Sequence, residues 1–401
     1  MRKTWTKEEL IAFEDNIERL YLDNQIPAVF HMSGGNEEQL IEIYKDIKNG
    51  DYVLSHHRNH YHGLLHGISA EQMTENIING KSMFVYDREK NFLVSAIIGG
   101  TPAIAAGIAW ALKKKGSSQK VWCFVTDGIE DNGHFFEAVR YVEGFDLPCI
   151  FIIENNGMAV GASNKERWGK RAELEWGQYS CVKKYYYKMS RNHIRAPGMI
   201  DLSKLNKKTD LEYFPQIEYK SCNLSLSTKN EISYKNGIIE AMTKLGQDER
   251  VYFVGYSVAK GNIIDTIKNV SDEKKIETPV AENLMLGLGM GMAIEGFRPI
   301  VYFERHDFMT VGMDAIVNHI DKIERLSHGQ YKVPVIIRAM CFDDGPFYSG
   351  PTHSQDFTSG LRALVSIPIL EPRTGQEVLD AYDYAIKSNH STIIIDRKSL
   401  Y

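Results

Sequence analysis

Short apolar runs alternate with helix-like stretches along most of the 401 residues of this chain. The runs are rich in β-branched and aromatic residues and are followed by turn residues, which is typical of buried strands. Because helix-like segments fill most of the intervals between them, the alternation predicts parallel sheets flanked by helices, an α/β fold. The six clearest strand candidates are VWCFV, PCIFII, RVYFVGY, RPIVYF, VPVIIRAM and STIIIDR.

The chain divides into two halves around a polar, irregular segment. From about Met189 to Lys229 the sequence carries two prolines and many Asn, Ser and Lys residues, which indicates a linker. We therefore predict a first domain over residues 1–190, a linker over residues 191–229 and a second domain over residues 230–401. A chain of this length with 43% hydrophobic residues can bury at least one large core, and the length favours two or three domains.

Composition excludes several classes of function. The formal net charge of -5 gives no basic excess, so we expect neither nucleic-acid nor acidic-membrane binding. Five scattered cysteines without CxxC spacing are typical of reduced thiols rather than of a disulfide framework. The first residues lack the apolar core of a signal peptide, and no run approaches the roughly 18 apolar residues of a membrane span. We expect a cytoplasmic protein whose partners are small molecules or proteins.

Two polar turns, TDG and ENN, each end an apolar run in the first domain, and a helix-like segment separates them. Such a strand-helix-strand unit brings both turns to the carboxyl edge of a parallel sheet, where ligands bind. Asp127 and Asn156 would meet there, and carboxylate, amide and carbonyl oxygens are hard donors suited to Mg²⁺. The helix expected at 134–143 would point its amino end towards a phosphate. Together these features predict a binding site for a metal diphosphate, although either motif alone is usually just a turn at the end of a strand.

The wider sequence makes this combination more specific. The TDG turn followed at this spacing by ENN resembles the thiamine diphosphate motif, and DLPCIFIIENN resembles the decarboxylating component of 2-oxo acid dehydrogenase complexes. SHHRNHYHG and AIIGG are similar to the α subunit of the pyruvate and acetoin enzymes, and TPVAEN and GPTHSQDF to the β subunit. The resemblance implies an α-type and a β-type half in one chain, each a thiamine diphosphate-binding fold with a mostly parallel sheet. It also implies that the β subunit's carboxyl-terminal domain is absent.

The resemblance implies a set of site residues. Asp127 and Asn156 would hold Mg²⁺ through their side chains and Met158 through its carbonyl. Glu282 in TPVAEN matches the glutamate that hydrogen-bonds the pyrimidine and promotes proton transfer. His353 in PTHSQ matches a histidine that faces the substrate, and His193 a second histidine on the diphosphate side. The implied cofactor contacts are Arg58, His31, His60, Ala96, Ile98, Asp127, Gly128, Asn156, Met158, Val160, Glu282 and Phe308.

Several of these residues have simpler interpretations when taken alone. Glu282 could be a helix-start charge, His353 a surface residue and Phe308 an ordinary core residue. The histidine-rich run SHHRNHYHGLLH could bind zinc through His60 and His62. Because it has no carboxylate or thiolate ligands at structural-site spacing, anion binding in this region is favoured over zinc.

The sequence also departs from the family's pattern in its polar groups. Phe84 stands where the α subunit has a histidine, so one active-site polar group is expected to be missing. Tyr256 and Ser257 stand where the β subunit carries an acidic pair, so one wall of the second domain's site is expected to differ.

The resemblance implies a thiamine diphosphate- and Mg²⁺-dependent enzyme that decarboxylates a 2-oxo acid of the pyruvate class and passes the acyl or aldehyde unit to an acceptor. The β subunit's terminal domain offers a surface to a lipoyl-bearing partner, so its absence favours a free-standing carboligase. The alternatives are a complex-bound component that acylates lipoamide with a separate partner chain, a transketolase-like ketol transferase and a non-catalytic scaffold. We expect a homodimer with the cofactor between two α/β domains, since two-fold symmetry is the commonest oligomeric arrangement.

Overall fold

The structure is a computed structural model, and it describes residues 2–27, 30–159, 162–171, 174–191, 202–204, 210–222, 232–260, 262–343 and 350–401. The chain forms two compact units. The first comprises Met1–Gln216 and Arg325–Gln330, and the second comprises Ile217–Glu324 and Tyr331–Tyr401. Most of the linker predicted for residues 191–229 lies outside the described residues. No helix within the described ranges is long and apolar enough to cross a membrane.

The first unit is built on a sheet of five parallel strands. These strands are β1 (Tyr52–Ser55), β2 (Phe92–Val94), β3 (Val121–Thr126), β4 (Cys149–Asn155) and β7 (Val182–Tyr186). Their order in the sheet is β2-β1-β3-β4-β7, so the longest strands, β3 and β4, lie side by side near its centre. A short antiparallel hairpin of β5 (Met158–Ala159) and β6 (Ala162–Ser163) follows β4.

Helices pack against this sheet, and local sequence explains where two of them begin and what they bury. The first helix, α1 (Lys7–Leu22), starts at a capping box between Thr6 and Glu9 and buries an apolar stripe. The fifth, α5 (Gly100–Lys114), is apolar on almost every side and is buried over most of its length. The others are α2 (Glu37–Ile43), α3 (His60–His66), α4 (Ala70–Ile78), α6 (Gly133–Gly144), α7 (Asn164–Trp168) and α8 (Asp210–Tyr213).

The second unit contains a sheet of six parallel strands. They are β8 (Val251–Gly255), β9 (Lys275–Glu277), β10 (Arg298–Phe303), β11 (Ile336–Cys341), β12 (Ile369–Leu370) and β13 (Thr392–Arg397), in the order β12-β13-β11-β10-β8-β9. The helices are α9 (Tyr234–Gly246), α10 (Glu282–Ile294), α11 (Ile323–Leu326), α12 (Thr358–Leu364) and α13 (Gly375–Lys387). A π-helix spans Ala315–Ile320, and Ile263–Asp265 form a left-handed turn.

Shorter helical turns connect these elements. They are 3₁₀ turns at Asp127–Asp131, Gly169–Arg171, Leu202–Lys204, Asp272–Lys274, His306–Thr310 and Lys398–Leu400. Two of them, Asp127–Asp131 and His306–Thr310, follow the carboxyl ends of central strands. In a parallel sheet this edge is where ligands bind.

The predicted α/β fold class is confirmed in both units. All six strand candidates are present, as β3, β4, β8, β10, β11 and β13. The register places Thr126 opposite Glu154, so β3 and β4 end at the same edge of the first sheet. Asp127 and Asn156, which follow them closely, are therefore brought to that edge as predicted.

Candidate active site

Asp127 is a buried carboxylate with no hydrogen-bond partner for either oxygen among the described residues. It begins the 3₁₀ turn after β3, and only 1% of its surface is exposed. Burial raises the pKa of Asp127 to about 6, and the positive charges of Arg167 and Arg58 act in the opposite direction. A buried carboxylate is costly unless a cation or donor compensates it. The arrangement therefore fits a cation ligand.

Asn156 and Met158 lie beside this turn. The Asn156 Oδ1 accepts a hydrogen bond from the Met158 backbone N–H at 2.9 Å, which leaves the second lone pair of that oxygen available. A Cβ atom placed on Gly128 would lie 3.3 Å from Ala159 Cβ and 3.4 Å from Ile98 Cδ1. The TDG turn, the AIIGG loop and the hairpin after β4 thus surround one small space, which accords with a backbone role for Gly128.

Arg58 supplies positive charge at the same edge of the sheet. It follows β1, its residue is 8% exposed, and its Nε and Nη1 have no hydrogen-bond partner within the part of the chain that the structure describes. Its positive charge acts on both Asp127 and Tyr187, where it opposes the rise in pKa that burial causes. Orphaned donors on Arg58 and orphaned acceptors on Asp127 fit a group that carries an anion and a cation together, as a metal diphosphate does.

His60 and His31 occupy different environments. The His60 ring is fully buried, with Nδ1 2.9 Å from Glu14 Oε1 and Nε2 2.9 Å from Ser82 Oγ. Both of its nitrogens are therefore engaged by the protein. His31 is half-buried and packs edge-on against His57, with ring centroids 4.7 Å apart. The predicted cofactor contacts of His60 and His31 stay predictions.

The histidine run does not gather His60 and His62 around one metal position. His62 Nε2 lies 3.2 Å from Glu154, which is also hydrogen-bonded by His56 and Tyr185. Among the described residues, His56 and His62 of this run instead form a cluster of potential metal ligands with Glu154. Burial of this group would raise the pKa of Glu154, but His62 and His56 outweigh burial and hold it well below its usual range.

The hydrogen bonds within this cluster favour a hydrogen-bonded network over a metal site. The backbone N–H of Arg58 donates to His56 Nδ1, so the proton of a neutral His56 lies on Nε2 and points at Glu154. Burial lowers the pKa of His56 to about 4, which keeps the ring neutral. A metal would require the Nε2 lone pair that this proton occupies. The geometry therefore opposes zinc at His56.

The AIIGG loop connects β2 to α5. The Ile98 carbonyl accepts a hydrogen bond from Asn132 Nδ2 at 3.2 Å, and Gly99 adopts a left-handed φ of 92°. A Cβ on Gly99 would lie 2.4 Å from that amide, so only glycine fits there. Ala96 lies in the same exposed loop. The cofactor contacts of the Ala96 and Ile98 backbones stay predictions.

Glu282 is the first residue of α10 in the second unit and is 7% exposed. The Tyr256 hydroxyl donates to Glu282 Oε1 at 3.5 Å. Thr278 donates its backbone N–H to the carbonyl of Gly255, which ties the segment before Glu282 to the end of β8. The tyrosine that departs from the family's acidic pair therefore touches the glutamate that the sequence singled out. Sequence reasoning did not predict this contact.

His353 and Phe308 are brought together in the second unit. Their rings meet edge-on with centroids 5.3 Å apart, and Arg305 donates to the His353 carbonyl at 3.3 Å. Asp307 accepts from both the backbone and the side chain of Gln355. The turn after β10 and the loop that carries His353 are thus linked at the carboxyl edge of the sheet.

Arg397 fixes the same loop from the end of β13. Its guanidinium contacts Asp343 at 3.1 Å, Asp356 at 2.7 Å and Glu371 at 2.5 Å. Asp343 and Asp356 flank the segment that contains His353. Two other predicted site residues, His193 and Val160, lie outside the described residues.

Arg167 and Tyr187 are site residues that sequence reasoning missed. Arg167 Nη2 lies 4.0 Å from Asp127 Oδ2, and Tyr187 accepts from Asn156 Nδ2 at 3.4 Å. Burial raises the pKa of Tyr187 to about 12, so its hydroxyl is neutral. Both residues come from segments without a recognisable motif. Only the tertiary fold brings them to the carboxylate and the amide.

Two family models match the chain. Residues 6–172 match the family described as "Dehydrogenase E1 component", and residues 230–401 match the family described as "Transketolase, pyrimidine binding domain". The chain joins an E1-type domain to a transketolase-type pyrimidine domain. The resemblance to an α-type half followed by a β-type half is thereby confirmed.

Curated relatives each resemble part of the chain. The chain is similar to the α subunit of acetoin:2,6-dichlorophenolindophenol oxidoreductase from Bacillus subtilis, with 30% identity over 159 residues, covering 37% of this chain and 48% of the relative. The pyruvate dehydrogenase E1 component subunit beta of Ascaris suum is 26% identical over 163 residues, covering 39% of this chain and 45% of that subunit. The chain spans about half the length of the curated relatives it matches.

Solved structures extend the likeness over the whole fold. Transketolase from Campylobacter jejuni covers 98% of this chain with a TM-score of 0.66 and 15% identity, and the match covers 79% of that structure. At this identity the comparison shows the fold. The two units therefore share the α/β fold of that transketolase.

Proposed function

We propose that this protein is a thiamine diphosphate- and Mg²⁺-dependent enzyme that decarboxylates a 2-oxo acid of the pyruvate class and transfers the acyl or aldehyde unit to an acceptor. One observation carries the proposal. Neither oxygen of the buried Asp127 carboxylate has a hydrogen-bond partner among the described residues, and neither Nε nor Nη1 of the buried Arg58 at the same edge of the sheet has one. Thiamine diphosphate, the cofactor of both matched families, brings the cation and the anion that would satisfy them.

The E1-type domain would bind and orient the cofactor. Asp127, Asn156 and the Met158 carbonyl would hold Mg²⁺, and Arg58 would donate to diphosphate oxygens. When bound, the cofactor supplies the nucleophilic carbon and the electron sink that loss of carbon dioxide from a 2-oxo acid requires. Burial of Asp127 would keep competing water away from a cation held there and so strengthen each of these interactions.

The pyrimidine-type domain supplies the acid–base groups. Glu282 is buried at the start of α10, where its carboxyl group can hold or release a proton next to the Tyr256 hydroxyl. His353 would face the substrate, with its loop anchored by Asp307 and Arg397. A general acid needs such fixed positioning, since a small misplacement costs much of the rate.

We further propose that the enzyme acts as a free-standing carboligase, as a homodimer in the cytoplasm. A second candidate is a complex-bound component that acylates lipoamide, because the curated relatives are named as subunits of pyruvate dehydrogenase E1 components and of an acetoin oxidoreductase. The two candidates share the decarboxylation step and differ in the acceptor and in the need for a partner chain.

Pyruvate labelled at its carboxyl carbon tests the proposal. The purified chain is incubated with Mg²⁺ and thiamine diphosphate, with and without an aldehyde acceptor, and released carbon dioxide and new products are followed by scintillation counting and NMR. The Glu282→Gln variant is the matched control, since it removes the acid–base group while preserving shape. We expect release by the wild-type chain, loss of release in Glu282→Gln, and a new carbon–carbon bond when the aldehyde is present.

Other outcomes separate the alternatives. Release that depends on added lipoamide and a copurifying chain would support the complex-bound candidate. Turnover of ketol donors but not of pyruvate would establish a transketolase-like transfer instead. Failure of the chain to bind thiamine diphosphate at all would contradict the proposed function.

A further inference from the structure

Arg167 lines the same cavity as Asp127. It lies on α7, which begins at a capping box between Ser163 and Glu166. Its Nη2 is 4.0 Å from Asp127 Oδ2, and both side chains line one cavity of about 80 Å³. The guanidinium is held in place because Asp131 and Asn164 accept hydrogen bonds from its two terminal nitrogens.

The pair is largely removed from water. The Asp127 side chain is 1% exposed and the Arg167 side chain 15% exposed, so their charges are weakly screened. Arg167 is also the charge that most lowers the pKa of Asp127 against the effect of burial. A divalent cation that binds Asp127 alone would meet this positive charge at close range, although the Asp131 carboxylate that pairs with Arg167 offsets part of it. A diphosphate brought with the cation would instead be attracted by it.

We propose that Arg167 couples cation binding to diphosphate binding. Its charge weakens the binding of a bare cation at Asp127 and strengthens the binding of a cation that arrives with a diphosphate. The inference rests on the proposed function, since it takes Asp127 as the metal ligand. Coupling of this kind is reciprocal, so diphosphate must raise cation affinity by the same factor as the cation raises diphosphate affinity. The site would thereby select the complete metal diphosphate over its parts.

Binding of Mn²⁺ to the full chain without thiamine diphosphate tests the coupling directly. Mn²⁺ accepts the same oxygen ligands as Mg²⁺ and is detected by electron paramagnetic resonance. Its dissociation constant is measured with and without inorganic pyrophosphate, in the wild-type chain and in Arg167→Gln. We expect Arg167→Gln to bind bare Mn²⁺ several-fold more tightly and to lose about tenfold of the enhancement that pyrophosphate gives, a typical size for such coupling.

Two further variants separate charge from structural support. Arg167→Lys keeps the positive charge but loses the paired hydrogen bonds to Asp131 and Asn164, so it should retain most of the coupling. Lys165→Gln removes an exposed positive charge from the same helix and should behave as the wild-type chain does. Circular dichroism checks that each variant is folded.

The outcomes are distinct. Equal losses of coupling in Arg167→Lys and Arg167→Gln would mean that Arg167 acts only as structural support, which would overturn the inference. Unchanged coupling in Arg167→Gln would overturn it as well. An effect of Lys165→Gln as large as that of Arg167→Gln would also overturn it, because general charge would then explain the change. Mn²⁺ binding that survives Asp127→Ala would instead show that Asp127 is not the metal ligand, and the proposed function would be contradicted as well.

Discussion

Glu282 and Tyr256 show what a single contact adds to a motif. The sequence TPVAEN singles out Glu282 by resemblance, and its burial at the start of α10 agrees with an acid–base role. The contact with Tyr256 could not be predicted, because it depends on the end of β8 lying beside the segment that precedes α10. Burial raises the pKa of Tyr256, so the phenol is a neutral donor to the carboxylate.

Replacing Tyr256 with Phe removes only this hydroxyl. A hydrogen bond contributes about 0.5–1.5 kcal/mol net, so we expect turnover to fall by roughly fivefold. Affinity for thiamine diphosphate should change little, since Glu282 itself is retained and the proposed metal ligands Asp127 and Asn156 are untouched. Steady-state kinetics and calorimetric cofactor titration measure the two quantities, with Tyr252→Phe at the other end of β8 as the control. Turnover unchanged from the wild-type chain would exclude a role for the hydroxyl.

At the scale of elements, the strands with dense β-branched runs were predictable and the shortest ones were not. β3, β10 and β13 are dense in β-branched and aromatic residues, and each was predicted from that pattern. β2 and β12 have only three and two residues, too few to show a period. The left-handed turn at Ile263–Asp265 contains no glycine, and local sequence gives no signal for it.

The helices α9 and α13 approach each other more closely than side chains would permit. A Cβ atom on Gly237 would lie 2.5 Å from the backbone oxygen of Gly375, and one on Gly375 would lie 2.4 Å from that of Ile232. The obstacle is backbone in both cases, so the helices themselves would have to move apart. These glycines therefore set the spacing of the two helices.

We expect Gly237→Ala to lower the free energy of unfolding of the second unit by about 1–3 kcal/mol, the usual cost of overpacking. Gly360→Ala is the matched control: it lies in α12, is exposed, and has nothing within 4 Å of its added Cβ. The control should be neutral or stabilising by up to about 1 kcal/mol, because alanine is the better helix former. Urea unfolding followed by circular dichroism measures both. An equal effect of the two substitutions would contradict the close approach of α9 and α13.

Over the whole molecule, the motifs located the predicted site residues in the chain but not all of their neighbours. Asp127 and Asn156 were predicted from turns at strand ends, because a parallel sheet brings such ends to one edge. Arg167 and Tyr187 come from later segments without a motif, so only tertiary structure shows them beside Asp127 and Asn156. The histidine run was also ambiguous, since its hydrogen-bond partners Glu14 and Glu154 are far away in sequence.

Buried neutral histidines make the stability of the first unit depend on pH. Burial lowers the pKa of His56 to about 4 and that of His66 to about 3, below the value of 6.5 for an exposed ring. The unfolded chain therefore binds more protons, and this contribution to stability is full above pH 6.5 and falls as the pH drops towards 4. The folded chain should lose stability throughout that range.

The His66→Phe variant tests this pH dependence. His66 packs near Tyr44 and Phe92, so an aromatic ring without a titrating group suits the position. We expect the midpoint temperature of unfolding to fall less steeply between pH 7 and pH 5 in the variant than in the wild-type chain, whatever the offset at pH 7. Differential scanning calorimetry at constant salt measures the slope. Identical slopes would show that His66 is not a buried titrating group.

The central claim is that the E1-type domain binds thiamine diphosphate through a divalent cation held by Asp127. Isothermal titration calorimetry of the full chain with thiamine diphosphate, in Mg²⁺ and again after chelation, measures this most directly. Asp127→Ala is compared with Asp23→Ala, which removes an exposed carboxylate of the same unit. We expect binding by the wild-type chain and Asp23→Ala only when Mg²⁺ is present, and loss of that binding in Asp127→Ala. Binding that is indifferent to both Mg²⁺ and Asp127 would contradict it.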